Sequence, residues 1–290
     1  MNTPRPESPD KAAWPGLIDT HCHLVELQRL RYPWLQQVPA LQRNFSFDDY
    51  WAQASAAGVV GAIYMEVDVA EDLMRDEVAF AASLGAPLVG IIAACRPESA
   101  GFAAYIDSVS AEPLVKGLRR VLHTAPDGLA EQAGFAANLR LLARHGLSFD
   151  LCVRQDQIPV ALALARACPD VQFVLDHCGN PEISGGDLAQ WRTGLRALAA
   201  LPNLACKLSG IVTHADPLRW SVAELRPVFD HVIECFGWDR VVWGSDWPVC
   251  TLAAPLGRWV EATRELVSGA SSSEIERLLG ANARRIYCLH

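Results

Sequence analysis

Residues 16–24 read GLIDTHCHL. An apolar run that ends in two histidines one residue apart predicts a strand delivering polar groups at its C-terminal end. Side chains at spacing two share one face of a strand. Asp19, His21 and His23 are therefore expected to form one polar row, with Ile18, Thr20 and Cys22 facing the other way. A lone histidine of this kind is ordinarily structural. Two rings in register beside a carboxylate can also hold a metal through nitrogens about 2.0–2.1 Å from it, and the pair alone leaves both readings open.

Outward from this stretch, seven further short runs rich in Val, Ile, Leu and Phe begin at Val59, Leu88, Leu114, Leu147, Val171, Leu204 and Arg240. Between and after them, helical spacing falls over 46–57, 70–84, 100–110, 127–145, 156–168, 187–200, 218–236, 253–268 and 272–286. Eight strand–helix units in 290 residues predict parallel strands with right-handed crossovers, closed as a single-domain α/β barrel of the (β/α)8 TIM type. A doubly wound open sheet is the competitor, but the sequence has no GxGxxG or GxxxxGK[ST] turn to give such a sheet its nucleotide site. Residues 1–13 are polar and proline-containing and read as a flexible N-terminal arm, leaving 14–290 as the barrel.

Composition narrows the function classes. The hydrophobic fraction of 51% supplies a large core, and a net charge of -8 disfavours nucleic acid. No apolar run approaches the ~18 residues that span a bilayer, and the first residues lack a signal-peptide apolar segment, so no membrane partner is expected. Nine scattered cysteines without a CxxC pair fit reduced thiols in a cytoplasm better than a disulfide framework. Arginine outnumbers lysine 22 to 3, which draws attention to Lys116 and Lys207 near predicted strands.

Catalytic groups of such barrels sit at the C-terminal strand ends. Here those ends carry His21 and His23, Glu66, Arg119 and Arg120, Asp150, His177, Lys207 with Ser209, and Asp246, while the third ends plainly at Cys95 and Arg96. Each has a bland alternative: a hydrogen-bonded core histidine for His177, a helix cap for Asp246, a structural ion pair for Glu66 or Asp150, a solvated position for Arg119 and Arg120. Trp34, within RYPWL at 31–35, reads equally as a loop plug or a pocket wall; Trp247 adjoins Asp246. Together His21, His23, His177 and Asp246 offer three imidazoles and a carboxylate, a set suited to zinc or another divalent ion with open coordination positions. Such an ion acidifies bound water and polarises a carbonyl, and an adjacent carboxylate can accept the proton. Hydrolysis at a carbonyl is the chemistry implied.

The segments IDTHCHL, YPWL, VKGLRRVLH, FDLCV, FVLDHCGNP, NLACKLSGIVT, FGWDRVVWGSDWPVCTL and ANARRIYCL resemble, in order and spacing, the amidohydrolase superfamily. Within it they are similar to the lactonase branch that includes L-fuconolactonases, other sugar lactonases and 2-pyrone-4,6-dicarboxylate lactonases. The resemblance implies a distorted barrel with Asp246 as general base among His21, His23 and His177. It implies a small-molecule sugar lactone as substrate, contacted by Arg119, Arg120, Lys207 and Asp150, with Glu66, Trp34 and Trp247 as further candidates. The branch often has tryptophan and aspartate after the HxH, where this chain has Leu24, Val25 and Glu26, and an acidic residue where it has His214. Two-metal relatives usually add a strand-4 lysine and a strand-5 histidine. Lys116 lies early in its run and strand 5 offers Asp150, so one metal, zinc foremost, or none is expected. Rival readings are a dicarboxylate lactonase, a metal-dependent decarboxylase and a noncatalytic metal or ligand-binding barrel. Barrels of this kind often pair through outer helices, leaving a homo-oligomer open.

Overall fold

The computed structural model describes residues 14–289; the expected arm over 1–13 lies outside them. Eight strands form one parallel sheet in sequence order: β1 (Leu17–Cys22), β2 (Val59–Met65), β3 (Leu88–Ala94), β4 (Val115–Val121), β5 (Ser148–Cys152), β6 (Phe173–Leu175), β7 (Leu204–Leu208) and β8 (Val241–Trp243). The expected (β/α)8 barrel is therefore the fold. Its helices lie between the strands where apolar spacing put them. Phe47–Ala56, for example, starts at Ser46, whose side chain accepts from the Asp49 N–H while the Asp49 carboxylate accepts from the Ser46 N–H, a capping box that satisfies two donors. The expected single helix over 127–145 is instead broken into Leu129–Glu131, Ala133–Leu139 and Leu142–His145. Gly128 adopts φ +83° and Gln132 is extended, so the chain turns before it coils.

The barrel interior is filled, as closed barrels of this size are. Ile18, Ile63, Met65, Ile92, Val174, Ala205 and Val242 pack there against Ala283, Ile286, Tyr287 and Leu289 of the C-terminal segment. Apolar outer faces of the strands pack under the helices in a second, larger cluster. All nine cysteines are free. Among the described residues no helix is long and apolar enough to cross a membrane.

The β1–β8 seam closes through loop backbone in place of a strand ladder. Asp246 N–H donates to the His21 carbonyl at 2.8 Å and His23 N–H to the Trp247 carbonyl at 2.7 Å. Thr20 Oγ1 donates to the Trp243 carbonyl at 2.8 Å. A register shift between Asp19 and Cys22 alters the expected alternation. Ile18 and His21 both reach the interior, whereas Asp19 turns outward and accepts from Tyr50 Oη at 2.8 Å and from the Ser245 N–H at 2.8 Å. The predicted Asp19–His21–His23 row therefore does not form: the bulge spends one residue on the seam and makes Asp19 its anchor.

Candidate active site

A cavity of about 720 Å³ opens at the C-terminal ends of the strands. His23, Arg119, His177 and Asp246 line it. His21 lies beneath them, fully buried. His21 Nε2 and His23 Nε2 are 3.1 Å apart, and each is 3.6 Å from Asp246 Oδ1. Ligands about 2.0–2.1 Å from a tetrahedral ion are separated by about 3.3 Å, so this trio fits a divalent cation. His23 Nδ1 lies 3.0 Å from the Met65 carbonyl, which as acceptor fixes the proton on Nδ1 and leaves Nε2 with a free lone pair. His177 does not join the trio but groups with His21 and Asp176. Its Nδ1 is 2.9 Å from Ser209 Oγ.

Backbone conformation aims these groups. His177, Cys178, Gly179 and Asn180 all have positive φ, and Asp246 stands at φ +59°. Strain of that kind persists only where surroundings over-determine it. Trp191 Nε1 donates to the Cys178 carbonyl and Asn180 Nδ2 to the Val153 carbonyl, each at 2.7 Å. Gly210, at φ +66°, passes so close that a Cβ there would stand 2.5 Å from His177 Nδ1 and 3.1 Å from Asp246 Oδ2.

Burial pushes the Asp246 carboxyl up, but the facing His177, His23 and His21 outweigh it and hold the group well below the usual carboxylate range. Burial, helped by the Lys207 ammonium and opposed by Asp176, drives His21 well below its ordinary value. An ionised carboxylate thus faces a neutral imidazole, the protonation states a ligand set needs.

Under the floor lies an ion cluster. Lys207 Nζ pairs with Asp150 and Asp176, the latter at 2.9 Å, and sits 3.4 Å from His21 Nδ1. Tyr287 Oη donates to Asp150 Oδ2 at 3.0 Å. Lys207 and Asp150 are fully buried and do not reach the cavity. Arg119 pairs with Glu66 and donates to the Glu66 carbonyl at 2.7 Å and to Asp176 Oδ2 at 3.3 Å. Of the two adjacent arginines only Arg119 points inward; Arg120 turns to Glu98 at 3.0 Å, as strand alternation requires. Glu66 and Trp247 lie behind the wall, Trp247 packed on Phe45 and Tyr50. Trp34 is in the wall, its Nε1 donating to the Val67 carbonyl at 2.7 Å. Lys116, second in β4, lies at the opposite end of its strand from the site.

Sequence reasoning passed over Asp68, His123, Arg154 and Asn180, all of which line the cavity. His123 and Asn180 follow strand ends by two or more residues, a position that was itself the available signal. His214, noted only as a departure, also lines it, held down to about 4 by burial and by His177 and so neutral near pH 7.

Residues 18–289 match the sequence model of the family described as Amidohydrolase. The chain is 31% identical over 293 residues to an L-fucono-1,5-lactonase of Burkholderia multivorans, covering 94% of this chain and 96% of the relative. It is 30% identical over 280 residues to an L-fucono-1,5-lactonase of Burkholderia ambifaria, covering 93% and 94%. A crystal structure of an amidohydrolase from Burkholderia multivorans with bound zinc superposes with a TM-score of 0.86 at 29% identity, covering 95% of this chain and all of that one.

Proposed function

The chain belongs to the amidohydrolase family, and from that membership we propose that it is a hydrolase opening a sugar-derived lactone to the corresponding hydroxy acid. The observation that carries the reading is the convergence of His21, His23 and Asp246 at the floor of a cavity large enough for a small ligand. The L-fucono-1,5-lactonase relatives support the ester of a lactone as the bond cleaved and an L-fuconolactone-like aldonolactone as the substrate. Charge on the walls favours a neutral polyol over a dicarboxylate. Asp68, Asp156, Glu182 and Asp246 stand against Arg119 and Arg154, a balance that does not suit two carboxylates.

Water adds to the lactone carbonyl as Asp246 accepts its proton. The ring C–O bond then breaks, and the proton passes to the departing ring oxygen, which becomes the hydroxyl of the product acid. The developing oxyanion is met by Arg119 and by His177, whose Nδ1 is engaged by Ser209 so that Nε2 is left for the substrate. His21, His23 and Asp246 are the residues that would hold a divalent ion, zinc foremost. When bound, such an ion supplies Lewis-acid polarisation of the carbonyl and a more acidic water. The Lys207–Asp150–Asp176 cluster positions His21 and does not touch substrate.

Proton release from a panel of five- and six-carbon aldonolactones, followed with a pH indicator in wild type and Asp246→Asn, tests the proposal. Turnover by wild type that falls at least about 10²-fold in the variant is the expected result. Silence of wild type across the panel refutes it, and carbon dioxide release from an aromatic or enoic acid would instead identify a decarboxylase.

A further inference from the structure

The cavity has two unlike halves, and the difference follows barrel position. Over β8, β1 and β2, above the floor formed by His23 and Asp246, its wall is mostly apolar: Val25, Trp34, Leu35, Leu41, Val67 and Val249, with Asp68 the polar exception. Over β4 to β7 it is polar, with Arg154, Asn180, Thr213 and His214 among its residues. The one carboxylate in the mostly apolar wall, Asp68, is already paired with Arg96 at 3.2 Å. Trp34 spends its one polar atom, Nε1, on the Val67 carbonyl, so only ring carbon faces the cavity. Val25 exchanges both backbone hydrogen bonds with Phe45, at 3.1 and 2.9 Å, which pins the loop that carries the wall. Leu35 and Leu41 are buried against the core, so the surface is preformed.

Size points the same way. A hexonolactone, about 12 non-hydrogen atoms at no more than the ~30 Å³ that liquid water takes per molecule, fills at most about half of a 720 Å³ cavity. Resting on the lactonase reading and narrowing it, we infer that the natural substrate is an aldonolactone-like ring with hydroxyls along one side that carries, where a 6-deoxyhexonolactone has only a methyl group, a larger apolar substituent, an aryl or short alkyl group, on the other. The ring hydroxyls face the wall over β4 to β7, and the substituent lies against Trp34, Leu35, Leu41 and Val249. An apolar group there is taken from water against a ready-made surface, and this contribution persists from ground state to transition state. It therefore appears chiefly in KM.

The test compares 6-deoxyhexono-1,5-lactone with 6-O-benzyl-hexono-1,5-lactone of the same ring configuration, in wild type, Leu41→Asn and Val249→Thr. The expected result is a kcat/KM at least about tenfold higher for the benzyl lactone, arising in KM, with the ratio between the two substrates shrinking at least about threefold in either variant. Val249→Thr keeps the side-chain volume, so it reports polarity even if Leu41→Asn fails to fold. Equal or poorer turnover of the benzyl lactone overturns the inference while leaving lactone hydrolysis standing. Calorimetric binding of the two matching lactams, which resist opening, separates the remaining cases. A tenfold benzyl preference in binding without turnover of either lactone supports the two-sided pocket and refutes the hydrolysis. No benzyl preference in binding overturns the two-sided pocket.

Discussion

Gly210→Ala puts a methyl group where two site side chains already meet. At φ +66° an alanine carries the left-handed backbone cost of about 1–2 kcal/mol, and its Cβ would stand 2.5 Å from His177 Nδ1 and 3.1 Å from Asp246 Oδ2. Relief requires His177 to leave Ser209 or Asp246 to shift, an overpacking cost of about 1–3 kcal/mol. The sum is about 2–5 kcal/mol of stability. A displacement of order 1 Å in groups this close to the reacting centre costs about 10²-fold in rate. Gly146 supplies the control. It has nearly the same φ, +65°, at the end of Leu142–His145, and nothing lies within 4 Å of its Cβ position. Gly146→Ala should therefore show the backbone cost alone and wild-type kcat. Urea denaturation and lactone turnover, measured on both variants, isolate the contact by difference. If Gly210→Ala is no less stable than Gly146→Ala and turns over substrate at the wild-type rate, His177 and Asp246 are not held in position as described.

Lys207→Met leaves Asp150 and Asp176 buried without their ammonium, at a cost of about 3–5 kcal/mol; a wild-type urea midpoint would show the cluster to be structurally idle. Glu77 accepts from Tyr64 Oη at 3.0 Å and from the Val67 N–H at 2.7 Å, and burial, aided by the charge of Glu66, pushes its carboxyl from 4.5 up to about 8. Its folded value is the higher one, so its stabilisation is full below pH 4.5 and lost as pH rises through 8, at up to about 1.4 kcal/mol per pH unit. Glu77→Gln should flatten that slope in denaturation curves taken across the window, and an unchanged slope contradicts the assignment. Zinc added to chelator-treated wild type at about 100 times its Kd should stabilise by about 2.7 kcal/mol, seen as a Tm rise of a few degrees. The rise should vanish in His21→Ala/His23→Ala, and an equal rise there would place the ion elsewhere.

The barrel was legible in the sequence because each buried parallel strand leaves a short apolar run and each covering helix a 3.6-residue period. Those signals are local. What escaped was non-local or a matter of parity. The bulge in β1 that sends Asp19 to the seam depends on Ser245 and Tyr50, which no local pattern reveals. At Arg119 and Arg120, alternation allows one residue inside, but sequence alone does not say which. Lys207 and Asp150 are polar residues near strand ends like the others, yet they fall below the cavity floor, held there by their mutual ion pair and by Asp176, a partnership across three strands that no local pattern shows. The glycines and positive-φ residues that orient His177 and Asp246 were visible only as GNP and GSDWP, motifs without geometry until β6 and β8 were set beside β7 and β1.

The seam between the first and last strands has a temporal meaning. Its hydrogen bonds from Ser245 join residues 224 and 226 positions apart, and Asp246 lies on the far side from both histidines of the HxH. During synthesis, His21 and His23 leave the ribosome long before their carboxylate exists. The His21–His23–Asp246 constellation can assemble only after the eighth strand has emerged, so a chain ended before Asp246 carries the two histidines without their carboxylate partner.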